Sequence, residues 1–205
     1  MRYTGPKNRL ARAEGVDLGM KTPGSHAHAA LLRRLTILPG QHGVRGRRKQ
    51  SEFGLQLREK QKARRLYGVG EQQFHNYYTH ALKVKGNTGE ALLSQLERRL
   101  DNVIYRLALA PTRAASRQLV SHRHVLVNAK TVNIPSYQVK IGEVVSLSAK
   151  GLTVPAVKKL LEEKNPVLPA WLERKAAVGH VVRLPERKDI DAEITEQQIV
   201  EFYSR

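Results

Sequence analysis

The chain has 205 residues, no cysteine, and 36 Lys+Arg against 18 Asp+Glu, for a formal net charge of +18. The missing thiols exclude disulfides, thiolate zinc sites, iron–sulfur clusters and cysteine nucleophiles, and no apolar run approaches the ~20 residues of a transmembrane helix. A charge this large repels itself in an isolated protein and points to a polyanionic partner, nucleic acid first and a membrane surface second. The segment Met1 to Lys7 lacks the apolar stretch of a signal peptide, so a soluble intracellular protein is expected.

Residues 1–70 carry 16 basic and 4 acidic residues, whereas the last twenty, Glu186 to Arg205, carry 3 and 6. The N-terminal third is therefore the main electrostatic footprint, and the C-terminal end is unsuited to phosphate. Residues 1–50 show no sustained periodicity, and Gly5-Pro6, Gly15, Gly19, Pro23-Gly24 and Pro39-Gly40 punctuate loops rather than long helices. Arg45-Gly46-Arg47-Arg48-Lys49 packs four cations into five positions, as in a charged arm that orders on its target. Ser51 then suits an N-cap and Glu52 a first turn. The helix they open carries Phe53, Leu57 and Leu66 on an inner face and Arg58, Lys60, Lys62, Arg64 and Arg65 as a cationic surface, up to Tyr67-Gly68. A second helix spans Glu71 to Lys85 with Phe74, Tyr77, Tyr78, Ala81 and Leu82 inward, a spacing that reads as core rather than as a base-stacking platform.

A third helix is predicted from Thr88 through Leu92, Leu93, Leu96, Leu100, Val103, Ile104 and Leu107, broken by Pro111. Thr112 caps a short helix, Arg113 to Val120, with Ala114, Ala115 and Leu119 inward. The period then becomes two: Val125 and Val127, a turn at Asn128-Ala129-Lys130, Val132 and Ile134, and a third strand at Val144 to Leu147. Glu97 to Ser148 thus reads as a compact α+β module. Thr153 to Lys164 is expected to be helical, Pro166 to Pro169 a connector, Val181 to Leu184 a short strand, and Thr195 the cap of a last helix in a capping box with Gln198. Ile199, Val200, Phe202 and Tyr203 supply the apolar face of that helix.

No Walker loop, GxGxxG, HExxH or GxSxG is present. Glu97 and Asp101 form an i, i+4 carboxylate pair, which reads as an ion-paired helix face rather than as acid–base machinery. His26/His28 and His122/His124 alternate, but no second ligand pair lies near either, so a metal is not the expected use. The binding constellation is stronger. Arg113, Arg117 and Gln118 form one stripe of the short helix, continued by Ser121, His122, Arg123 and His124 and then by Lys130 at the hairpin. From Arg113 to Lys140 there are five cations and no acid. Forked guanidinium groups grip phosphate, and one-signed charge favours a polyanion over a solvated face. A helix with exposed Arg and Gln also suits a DNA major groove, whereas a long glycine-punctuated arm suits folded RNA.

The segment Leu96 to Arg106, followed by Thr112 to His122, Val125 to Asn128 and Val132 to Tyr137, resembles the signature of bacterial small-subunit ribosomal protein four. So do Tyr3-Thr4-Gly5-Pro6, Pro39-Gly40-Gln41-His42-Gly43, Leu57 to Lys62, and Glu201 to Arg205. The resemblance runs in order through nearly the whole chain. The middle module alone also recurs in pseudouridine synthases and some tRNA synthetases; the flanking motifs make the likeness specific.

The resemblance implies an α+β fold: a mostly helical domain with an inserted small helix-helix-β-hairpin RNA-binding module and an extended N-terminal arm. The expected divisions are 1–50 for the basic arm, 51–95 for the helical domain completed by 175–205, 96–157 for the module, and 158–174 for a helix and connector. It further implies a non-enzymatic structural constituent of the small ribosomal subunit. Such a protein is a primary ribosomal RNA binder that nucleates assembly of the subunit body and contributes to translational accuracy where the messenger enters. Expected partners are small-subunit ribosomal RNA, neighbouring ribosomal proteins, notably protein five, and messenger RNA, with no membrane and a location on the cytoplasmic ribosome. To the candidate contacts Arg113, Arg117, Gln118, Ser121, His122, Arg123, His124 and Lys130 are added Arg58, Lys62, Arg64 and Arg65 of the basic helix and Arg2, Tyr3, Lys7, Arg9, Gln41, His42, Arg45, Arg47, Arg48 and Lys49 of the arm. Many relatives bind zinc through four arm cysteines; the matching positions here are about Asn8, Ala11, Ser25 and Ala30, so no cofactor and no zinc are expected. Arg123 stands where Gly is common, Ala129 where a hairpin Gly is common, and Ile141 where Pro is frequent. Two other readings stay open: an RNA-modifying enzyme, which would need a large catalytic domain, and a DNA-binding repressor, which duplex competition would reveal.

Overall fold

Local signals in the first fifty residues are short, and they build short elements. The computed structural model describes residues 3–46, 49–163, 166–190 and 194–204, and the chain divides into two units, Met1–Ala91 with Ala192–Arg205, and Leu92–Asp191. In the first unit, Lys7–Glu14 forms α1, closed by Gly15 at φ 76°, where a glycine takes the left-handed conformation at little cost. His26–Leu32 forms α2, and the Ser25 hydroxyl caps it by accepting from the His28 N–H. Ala11, Leu18 and Leu31 are buried together, and the Arg12 guanidinium donates to the carbonyls of Ile37 and Leu38 at 2.8 Å each. The arm therefore has a small core of its own, which three apolar residues spread over some twenty positions could not announce as a periodic pattern. Glu52–Leu66 forms α3, capped by Ser51 as expected, and Gly68 at φ 62° follows its end. Glu71–Leu82 forms α4, with Phe74, Tyr78 and Ala81 buried and Leu82 exposed rather than inward.

In the second unit the single helix expected from Thr88 to Leu107 is two: α5, Thr88–Glu97, and α6, Leu100–Arg106. The apolar spacing continues through the break, but the hydrogen bonds do not. Arg99 is extended, and the N–H groups of Leu100 and Asp101 donate to the carbonyls of Tyr137 and Pro135 instead of to α5. Arg113–Ser121 forms α7, capped by the Thr112 hydroxyl. The strands are β1 (Val125–Val127), β2 (Lys130–Thr131) and β3 (Val144–Leu147). An unexpected single turn, α8 (Ala149–Leu152), capped by Ser148, precedes the helix expected over Thr153 to Lys164, which forms as α9 (Pro155–Glu162) with proline in its first turn. Two further strands follow, β4 (Leu172–Lys175) and β5 (Val178–Val181). All pairings in the sheet are antiparallel and its order is β2-β1-β3-β5-β4, with Val125 opposite Leu147 and Val144 opposite His180.

The sheet is thus larger than the hairpin and third strand expected. The strand anticipated at Val181 to Leu184 ends at Val181, and residues 172–175 pair with it rather than serving as a connector. Their turn, Ala176-Ala177, lacks turn-forming residues, with Ala176 at φ 53°, so nothing in the sequence marks it. Gly179 is required by packing: a Cβ there would lie 2.3 Å from Leu107 Cδ1. Val125, Val127, Val145, Leu147 and Val181 from the sheet meet Leu100, Val103, Ile104 and Leu107 of α6 and the fully buried Trp171 in one core. The Arg174 guanidinium ties β4 to α6 by donating to the carbonyls of Leu107 and Ala108.

Glu196–Tyr203 forms α10 and returns the chain to the first unit, against α3. Residues 172–181, by contrast, belong to the sheet of the second unit. The Thr195 hydroxyl makes no cap, contrary to the capping box expected with Gln198; its backbone N–H donates instead to Glu59 Oε2 at 3.1 Å. The face that α3 buries is also not the expected one: Gln56, Lys60 and Ala63 are inward, while Phe53 is half-exposed. The reason is polar pairing. Gln56 donates to Glu201, and Lys60 Nζ lies 2.7 Å from Glu71 Oε1 and 4.3 Å above the Phe202 ring. Tyr203 stacks on Tyr78 at 4.7 Å, so the aromatic stripe of α4 is core, as its spacing predicts.

Candidate nucleic-acid interface

On α7 the residues 113, 117, 118 and 121 fall within one face of the helix. Gln118 and Ser121 are exposed and Arg117 is half-exposed. Arg113 is held: its Nε donates to Asn102 Oδ1 at 2.7 Å, and its guanidinium lies 4.4 Å from the Tyr105 ring centroid. The helix ends in a paired closure, with the His124 N–H on Leu119 O and the Arg123 N–H on Val120 O. Arg123 occupies the left-handed position of that closure at φ 64° and projects an exposed side chain, as does His122. The His124 carbonyl accepts from Ser148 N, and Gly151 packs so closely that a Cβ there would meet it at 2.9 Å. The loop carrying His122, Arg123 and His124 is therefore pinned to the start of α8. Asn128 and Ala129, at φ 47° and 65°, make a two-residue hairpin turn, and Asn128 Oδ1 accepts from Val144 N at 2.9 Å. Lys130 is the first residue of β2 rather than part of the turn, and it is exposed.

The carboxylates of this unit that invite a catalytic reading are occupied. Glu97 is fully buried and accepts from Arg106 at 2.9 and 3.0 Å and from Asn102 at 2.7 Å. Asp101 accepts both arms of the buried Arg99 guanidinium, at 2.7 and 3.0 Å. Both are fixed structural ion pairs.

In the first unit the basic helix is less open than its composition suggests. Arg58 and Arg65 pair with the buried Glu14, Lys62 with Glu59, and Arg64 with Glu71. Burial lowers the pKa of Arg65 against the pull of Glu14. These four cations tie α3 to α1, to α4 and to its own surface. Lys7 opens α1, and Tyr3, Arg9, Gln41, His42, Arg45 and Lys49 are exposed, with His42 and Arg45 framing a 3-10 turn at Gly43–Arg45. Arg2, Arg47 and Arg48 lie outside the described residues. At the positions where relatives carry zinc ligands, the Asn8 amide donates to Ala27 O, Ala11 is core, Ser25 caps α2, and Ala30 has only a methyl group. That donor set does not fit zinc. Three arginines outside the candidate set, Arg12, Arg33 and Arg34, flank a groove between α1 and α2; one on α1 and two just past the end of α2, they showed no pattern in the sequence.

A short capped helix, a pinned basic loop and a tight hairpin, with the nearby acids locked in ion pairs, define a binding module of the kind that reads nucleic acid, not a catalytic centre. Residues 2–97 match the model of the ribosomal protein S4/S9 N-terminal domain, and residues 98–145 that of the S4 domain. The whole chain is 50% identical to small ribosomal subunit protein uS4 of Desulforamulus reducens and 49% identical to uS4A of Symbiobacterium thermophilum, in each case over 100% of this chain and 99% of the relative. The chain belongs to the uS4 family of small ribosomal subunit proteins, a structural, non-enzymatic family, and carries its RNA-binding S4 domain. Among the described residues no helix is long and apolar enough to cross a membrane.

Proposed function

We propose that the chain is a primary binder of small-subunit ribosomal RNA that nucleates assembly of the subunit body. In the finished subunit it lies where the messenger enters, beside ribosomal protein five and in reach of messenger RNA, and contributes to decoding accuracy on the cytoplasmic ribosome. Its arm works without zinc, held by the Ala11–Leu18–Leu31 core and the Arg12 hydrogen bonds. The observation that carries this reading is the acid-free run from Arg113 to Lys140, which the fold displays as an exposed helix face, a pinned loop and a hairpin. Guanidinium, amide and imidazole groups on such an edge suit the phosphates and 2′-hydroxyls of a folded RNA. Arg117→Ala is expected to lower affinity for a small-subunit RNA fragment roughly tenfold, the effect of one lost charged hydrogen bond, with an unchanged thermal unfolding curve. Wild-type affinity in that variant, or equal displacement of the RNA by duplex DNA, refutes the reading.

A further inference from the structure

The groove between α1 and α2 has no part in the module described above. It encloses about 380 Å³, within the size class of small-ligand clefts, roughly 300–1,000 Å³. Asn8 and Arg12, one turn apart on α1, form one wall; His26, Ala29 and Ala30 of α2 form the other, and Arg33 and Arg34 stand at its end. No carboxylate lines it; Asp17, the acid of this segment that follows α1, is engaged by His28 at 2.8 Å. Arg12 is fixed in place by the Ile37 and Leu38 carbonyls. Arg33 and Arg34 are exposed and form no ion pair among the described residues. The two alanines bring exposed methyl groups to a groove lined by three arginines. Methyl groups make apolar contact with the face of a planar ring, and guanidinium groups both stack on bases and fork phosphate oxygens. A bare metal cation does not match a groove lined by three arginines and no carboxylate.

We propose that this groove holds one unstacked nucleotide of the bound RNA, with its base over Ala29 and Ala30 and its phosphate on Arg33 and Arg34. The inference rests on the RNA-binding reading above and specifies one contact of it. The test uses the full chain and a small-subunit RNA fragment that it binds. Ala30→Leu fills the groove from an exposed helix position and removes no charge. It is expected to weaken binding roughly fivefold, the effect of taking about 40 Å² of apolar contact from one base, with the salt dependence unchanged. One base shielded from chemical modification in the wild-type complex becomes reactive. The double variant Arg33→Ala, Arg34→Ala is expected to lose the same protection and to reduce the salt dependence. Wild-type affinity and protection in Ala30→Leu overturn the proposal. If that variant unfolds early, retained protection in the double arginine variant overturns it instead. A wild-type chain that binds no ribosomal RNA overturns the broader reading, whereas binding that needs Arg117 but ignores the groove overturns this inference alone.

Discussion

Arg123 holds a left-handed backbone conformation that glycine adopts more easily, at a cost to the fold of about 1 kcal/mol. Its neighbour in kind, Ala129 at φ 65°, has only a methyl group to offer in exchange. The two positions therefore test whether the strain at Arg123 serves the proposed RNA contact. Arg123→Gly is expected to raise stability by a few tenths to about 1 kcal/mol and to weaken RNA binding; Ala129→Gly should give a similar gain with RNA affinity unchanged. Denaturant midpoints and RNA titrations of both variants check this. Buried charge behaves differently. Asp101→Ala leaves the fully buried Arg99 without its carboxylate and is expected to destabilise the chain by about 3–5 kcal/mol in urea unfolding. The exposed cations of α7 and its loop were legible in the sequence because charge of one sign at helical spacing is a surface property. Arg99 was not, since nothing in an Arg-Arg pair says that the second arginine turns inward. The pairing of Arg58, Arg64 and Arg65 was equally hidden, because their carboxylate partners Glu14 and Glu71 stand on other helices.

At the scale of elements, the strongest periodic signal gave the right core and the wrong helix. Leu100, Val103, Ile104 and Leu107 are buried as their spacing demands, yet the backbone breaks before them because the 135–137 loop supplies competing carbonyls. Strand β4 was missed and β5 was placed three residues too late for the same reason: their pairing is decided by β3 and by Leu107 above Gly179, not by local residues. The α3–α10 contact shows how a polar face can be the inner one. Burial opposes ionisation of Glu71, but hydrogen bonds from Lys60 and Tyr203 and the charges of Lys60 and Arg64 outweigh it and hold its pKa below the ordinary carboxylate value. A carboxyl with a lowered folded pKa contributes stability above its unfolded value and loses it as pH falls through the folded one. Acid unfolding of the first unit is therefore expected to begin below about pH 4.3. Glu71→Gln should flatten that limb in a urea midpoint series, with lower stability near neutrality.

For the whole molecule, the count of 36 lysines and arginines overstates the cations available to phosphate. Several basic residues of α3 and α6 already neutralise carboxylates. The affinity for RNA is expected to fall by roughly 0.7–0.9 log units per log unit of salt for each phosphate engaged. Alanine at Arg117 or Arg123 should lower that slope by about one phosphate, and alanine at Arg64 should leave it nearly unchanged; filter-binding isotherms across a salt series measure all three. The order of the sheet has a consequence for how the chain is made. Strand β3 lies between β1 and β5, and β5 is synthesised more than thirty residues after it. While the chain is emerging, β3 presents an open edge of unpaired N–H and C=O groups, a template for another nascent chain. A fragment cut at residue 145, where the matched S4 domain ends, would also sever β3 itself and lose Leu147, Trp171 and Val181 from its core. The smallest piece expected to fold cleanly therefore extends through residue 181, and a growing chain is open to mispairing until β5 has left the exit tunnel.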